Sequence, residues 1–254
     1  MRGHFIVISI IIAYFIVSYS YYKKQIKEGF EDKNKLRPEI DLDKLKWGYL
    51  NTFYSGLVKE PLEVLKEPLP LQNVPECPLN SSDKTAKECQ KLFDITNLTV
   101  DNKKEVAENR RKFKEYDADP VKPFLKYCDD KKLVYKKDVI DKIVKDCAII
   151  SLKLKQIYNR PRPYQLCHIY GYPIKYLRSE HADTPSYPSS FALQSYVLAY
   201  LLGSKYSSHQ KEIEKISNAI SWSRVWSGNN FESDIECSKL IMFNLRNYLD
   251  TIEL

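Results

Sequence analysis

An all-α body behind one amino-terminal membrane helix is the fold class this sequence predicts, and three observations predict it. Glycine is scarce, 7 of 254 residues beside 19 Tyr, well under the usual ~7%, which argues against Gly-rich nucleotide loops and against a sandwich with many tight turns. Residues 5–22 form a run without a charge. Residues 138–158 place their apolar side chains at helical spacing. The length allows one sizeable core, and 43% hydrophobic with 29% charged residues excludes a wholly disordered chain, a collagen and a multi-span membrane protein. The net charge of +7 arises from 40 Lys and Arg against 33 Asp and Glu. Both signs are interspersed and no long basic block occurs, so no nucleic acid is expected as a partner. An anionic small molecule or a lipid surface suits the excess better.

The chain divides into a membrane anchor at 1–22, a charged stalk with a Pro-rich wrap at 23–78, and a helical domain at 79–254. As a helix the run Phe5–Tyr22 spans about 27 Å at ~1.5 Å per residue, enough for one bilayer crossing. It exceeds the ~7–15-residue apolar region of a signal peptide and no small-x-small cleavage site follows it, so membrane lipid is the expected partner of residues 5–22. Its orientation is open. Lys23, Lys24 and Lys27 outweigh Arg2 and place the body in the cytosol by the positive-inside rule. The sequons at Asn80 and Asn97, together with six Cys of which Cys77 and Cys89 are close enough to clip a loop, point to an extracytoplasmic body or an envelope surface, and that is the expectation adopted. Residues 60–78 carry five Pro and cannot form a regular helix or a central strand. A polar helix is expected over Lys103–Tyr116.

The helix ending near Tyr158 is the most informative segment. Val139, Ile140, Ile143, Val144, Cys147, Ala148, Ile150, Leu154 and Ile157 follow one stripe. At ~100° per residue Lys155 lies in line with Val144, Ala148 and Ser151, facing the core, whereas Lys153 points with Lys142 and Asp146 toward solvent. An inward ammonium needs an anionic partner; the competing reading is a lysine that snorkels to the helix end or an ordinary ion pair.

Three segments then fall in order: Lys155 to Pro163 as K-x6-R-P, Tyr187-Pro188-Ser189-Ser190-Phe191, and Ser223-Arg224 followed by Asn230 and Asp234. In order and spacing they resemble the K-x6-R-P, P-S-G-H and S-R-x5-H-x3-D signature of the superfamily of type-2 phosphatidic acid phosphatases, class A acid phosphatases and vanadium haloperoxidases. The wording SYPSSFA resembles most the class A acid phosphatases. The resemblance spans about 138–248 and is weak upstream. It implies a helical bundle in which Lys155, Arg162 and Arg224 clamp a phosphate-like anion, Ser189 donates its hydroxyl, and the helix start at Ser189 and Ser190 supplies amides. It also implies two degenerate catalytic positions. Phe191 stands where the general acid is expected, and a phenyl ring transfers no proton. Asn230 stands where the nucleophilic histidine is expected, and an amide is a poor nucleophile. Asp234, the orienting residue, is kept. Ser190 replaces the glycine of the second motif, which puts a close backbone approach there in doubt.

The first functional expectation is therefore a membrane-anchored pseudoenzyme that keeps a phosphate-binding pocket. An active phosphomonoesterase or lipid phosphatase, using His168, His181 or a water held by Asn230 and Asp234, is the alternative. The third is a structural membrane or virion-envelope protein with protein partners in a membrane assembly. No cofactor and no metal are expected: no Cys or His pair has zinc spacing, and vanadate-dependent peroxidation needs an imidazole at the place of Asn230.

Overall fold

The computed structural model describes residues 40–254 except 67, 68, 70, 72, 100 and 102. The anchor expected at 5–22 and the stalk up to residue 39 lie outside the described residues. Among the described residues no strand occurs, and no helix is long and apolar enough to cross a membrane. The helices are α1 (Thr52–Leu57), α2 (Asp83–Thr96), α3 (Lys103–Ala118), α4 (Lys122–Asp130), α5 (Lys137–Tyr158), α6 (Pro163–Leu166), α7 (Ser190–Lys205), α8 (Gln210–Trp226) and α9 (Glu232–Leu249). They belong to one unit, Asp41–His168 with Tyr172–Leu254. The second unit, Met1–Ile40 with Ile169–Gly171, falls almost wholly outside the described residues.

The centre is α7. Its sequence SFALQSYVLAYLLGSK is apolar on nearly every side, the pattern of a helix covered all round, and α5, α8 and α9 pack against it. Leu193, Val197, Leu198 and Leu202 are fully buried. Ser189 starts the helix, its Oγ accepting from the Ala192 amide at 3.4 Å. The polar helix expected at Lys103–Tyr116 exists as α3 and packs on α8. It buries only Val106, Phe113 and Asp117.

α5 follows the expected register, with Ile140, Ile143, Cys147, Ile150 and Leu154 buried. It ends at Asn159, which is left-handed with φ 47°, and Pro161 and Pro163 prevent its continuation. Two of its residues differ from expectation. Ile157 is exposed, because it lies at the last turn beyond the packed stretch. Asp146 was expected in solvent and is fully buried: its carboxylate accepts from the amides of Glu63, Val64 and Leu65 at 2.7–2.8 Å. The start of the Pro-rich segment crosses that face of α5, and Asp146 satisfies amides that no sheet or helix would satisfy. The described residues of the wrap contain no helix, as expected.

The clip expected between Cys77 and Cys89 is not formed. All six thiols are free, and Cys89 points from α2 into the core, near Cys167. The sequon at Asn80 is also closed in the folded chain. Asn80 is buried and its amide donates to the carbonyls of Leu42 and Leu45 at 2.9 Å, bonds that a glycan on that nitrogen would break.

A turn after α8 leads to Asn230. Gly228 has φ 76°, and a Cβ there would lie 2.9 Å from Tyr176 Cβ, so only glycine fits.

Candidate functional site

Three chain segments, each terminated by its own sequence signal, meet at the carboxyl end of α5. The Pro-flanked Arg162 follows that end, the start of α7 brings Ser189, Ser190 and Phe191, and the turn between α8 and α9 brings Asn230. They line one cavity of about 130 Å³ that also receives Lys155 and Arg224. At ~30 Å³ per water this is the space of about four waters, enough for a tetrahedral oxyanion. A larger groove of about 390 Å³, bordered by Tyr196, Tyr200, Asn218 and Lys239, holds no comparable convergence of cations.

Every expected anion-binding residue therefore reaches the same space. Lys155 is buried and donates to the Pro185 carbonyl. Arg162 is fixed by Nε to the Thr184 carbonyl at 2.8 Å, by Nη2 to Thr184 Oγ1 at 3.1 Å, and by Nη1 to Asn229 O and Asn230 Oδ1 at 3.0 and 3.1 Å. Arg224 is paired through Nη1 with Asp117 and donates through Nη2 to Ser179 Oγ at 3.1 Å, while its buried Nε makes no hydrogen bond to the described residues. The amides of Ser190 and Phe191, in the first turn of α7, have no intrahelical acceptor. Ser190 Oγ accepts from Ser151 Oγ at 2.8 Å.

The electrostatics of the three cations are unfavourable without an anion. Burial first, then the positive charges of Arg162 and Arg224, hold Lys155 well below the usual lysine range, only partly opposed by Asp234. Burial and Arg224 likewise bring Arg162 down to about 10. A dianion among them would relieve this repulsion and raise both values. The sign for stability follows: Lys155 binds its proton more weakly in the folded chain than in the unfolded one, so its ionisation costs stability at low pH and the penalty fades as pH approaches 10.5. Lys155→Met is therefore expected to raise the melting temperature at pH 6, and by progressively less in melts at higher pH.

The two positions of expected chemistry are differently occupied. Asn230 has both ends of its amide engaged: Nδ2 donates to Ser186 O at 2.8 Å and to Asp234 Oδ2 at 3.0 Å, and Oδ1 accepts from Arg162. The carboxylate of Asp234 is equally committed, Oδ1 to Arg160 Nη1 at 2.7 Å and Oδ2 to Asn230 and the Phe231 amide. A water held between Asn230 and Asp234 would find no free carboxylate to take its proton. Phe191 lays its ring against Arg224, with the guanidinium carbon 4.6 Å from the centroid, a cation–π contact. His181 lines the cavity, its ring 5.4 Å from that of Phe191. His168 is exposed and lies away from the cavity lining.

Sequence reasoning passed over four residues. Arg160 is fully buried, joins Asp234 to Glu88 Oε2 at 2.9 Å, and sits 4.0 Å from the Phe231 ring. Asp117 orients Arg224, and Thr184 orients Arg162. Tyr54, on α1, faces the cavity. A signal existed for Asp117 alone: it continues the sparse stripe of Val106 and Phe113 at i+11 and i+4.

In comparisons with known proteins, no family model matches the chain and no curated protein matches it. Among solved structures, the crystal structure of the first transmembrane PAP2 type phosphatidylglycerolphosphate phosphatase from Bacillus subtilis is similar to it. The two share 17% identity and a TM-score of 0.46, over 68% of this chain and 90% of that one.

Proposed function

We propose that this chain is a membrane-anchored, acid-phosphatase-like protein that binds a phosphate-type anion and does not turn it over by the route of the superfamily its motifs resemble. The observation that carries this reading is the shared cavity. Lys155, Arg162, Arg224, Ser189 and Ser190 line it together, while the two positions that should exchange protons and accept the phosphoryl group hold a phenyl ring and a fully hydrogen-bonded amide. Cations and helix-start amides stabilise the charge of a phosphoryl group in ground and transition state alike, and such uniform binding does not accelerate the chemical step. The anchor rests on the uncharged run at 5–22. With Asn80 buried, the thiols unpaired and the Asn97 amide itself donating to the Phe93 carbonyl at 2.9 Å, the sequence signals for an extracytoplasmic body are weakened against Lys23, Lys24 and Lys27.

The test is incubation of the full-length chain with an aryl phosphate between about pH 4 and 8, where an imidazole would titrate. The expected result is no burst of phenol and no phosphorylated residue by mass spectrometry. Steady turnover that disappears with Asn230→Ala would overturn the reading. A second reading, an enzyme using His181 as acid, is favoured by that ring's place at the cavity; it requires turnover that His181→Gln removes.

A further inference from the structure

The cavity is bordered on one side by a segment that, among the described residues, is hydrogen-bonded and ion-paired to the rest of the chain only at its ends. At one end the Trp47 amide donates to Asn159 O at 3.0 Å, and Gly48 exchanges two hydrogen bonds with the Asn159 side chain at 3.2 and 2.9 Å. At the other, Lys145 pairs with Glu60 and Glu63 at 2.8 and 2.9 Å, beside the amides that Asp146 holds. Between these fastenings, among the described residues, 49–59 hydrogen-bond only to one another and to the adjoining Glu60 amide, including the Asn51 cap of α1. No residue of α1 is buried, and Tyr49 and Phe53 are 99% and 71% exposed. A segment with so few contacts opens at low cost compared with the core. Gly48, with φ 131° and no atom within 4 Å of a Cβ built there, has the conformational freedom of a hinge.

The inner face of the segment is directed at the cations. Tyr54 and Leu57 line the cavity with Lys155, Arg162 and Arg224. The half-buried Tyr54 hydroxyl makes no hydrogen bond to the described residues, and it lies within electrostatic range of the exposed Asp183 carboxylate and of Arg162. The hydroxyl is hydrogen-bonded to neither, and an oxyanion held by that guanidinium would present it with an acceptor. Leu57, Leu152 and Phe191 complete the lining, and Lys155 among them is 1% exposed.

Resting on the anion-pocket reading above, we propose that residues 49–59 are a strap hinged at Gly48 that swings aside to admit a phosphate-type anion and, on closing, adds the Tyr54 hydroxyl as a donor to that anion. Tyr54 is then a ligand-contacting residue outside the three motifs, and binding and strap order are linked: the anion should quieten the strap, and loss of the hydroxyl should weaken the anion.

The experiment uses the full-length chain and inorganic phosphate. Tyr54→Phe is expected to weaken phosphate binding about tenfold, the worth of one hydrogen bond to a charged acceptor, with an unchanged melting temperature. Phe53→Ala, on the outer face of the same helix, is expected to bind as the wild type does. Saturating phosphate should slow hydrogen exchange at the amides of 52–57 in the wild type and slow it less in Tyr54→Phe. Equal affinity of Tyr54→Phe and wild type, or strap exchange indifferent to phosphate, would overturn this proposal and leave the pocket standing. A wild type that takes up no phosphate would remove both.

Discussion

Arg160→Ala should destabilise the fold by about 3–5 kcal/mol, the cost of leaving buried charge without its partner, and lower the melting temperature by roughly 10 °C at ~2–4 °C per kcal/mol for a domain of this size. Arg160 is the one cation bridging Asp234 and Glu88 among the described residues, and both carboxylates are buried with it. Burial works against its charge, and Asp234 and Glu88 overcome that and raise its pKa. Removing the guanidinium strands two acids and also uncovers Phe231, on which it lies. Glu88→Gln with Asp234→Asn in the same chain should recover a good part of the loss, because neutral amides cost less to bury than unpaired carboxylates. Arg160→Lys should fall between, since one ammonium cannot fork to two acceptors. A thermal melt of Arg160→Ala within about a degree of wild type would show that the triad contributes nothing.

The second large effect concerns chemistry. The chain carrying Phe191→His and Asn230→His together should gain turnover of an aryl phosphate at least a hundredfold above either single variant, the lower end of what a positioned acid contributes. Asp234 Oδ2 already accepts from the side chain at 230 at 3.0 Å, and Arg160 holds the other oxygen, so the carboxylate is in place to orient an imidazole. The position of Phe191 borders the cavity beside Arg224. Neither imidazole alone completes the path: one lacks an acid for the departing oxygen, the other a nucleophile. Rates for the pair no higher than for the singles would mean that the clamp does not hold the ester in line.

How much of this was legible follows from what each signal measures. The 3.6-residue period along α5 gives a direction for every side chain, and it put Lys155 inward correctly. It does not tell what covers the opposite face, and so it turns Asp146 toward water although residues 63–65 lie over it. The motif spacings brought Lys155, Arg162, Ser189, Ser190, Arg224 and Asn230 to one cavity because each sits beside a helix end fixed by Pro or Gly. Arg160 is only two residues from Arg162, yet its partners Glu88 and Asp234 are 72 and 74 residues away, and no local pattern encodes such a pairing. Nearness in sequence misled at Cys77 and Cys89, since a cysteine on a helix faces where the period turns it. Tyr54 sits on a helix of six residues, too short for any periodicity to show.

The central claim is that the cavity binds a phosphate-type anion, and calorimetric titration of the full-length chain with inorganic phosphate tests it most directly, beside Lys155→Met. Arg224→Ala is the less clean variant, because it leaves Asp117 unpaired. The account predicts saturable binding to one site, weakening as salt rises and as pH rises through the lowered pKa of Lys155, with proton uptake by that amine on binding. It predicts at least tenfold weaker binding to Lys155→Met, though that variant melts higher. Binding of equal strength to both chains, or no binding to the wild type at low salt and pH 6, would contradict it.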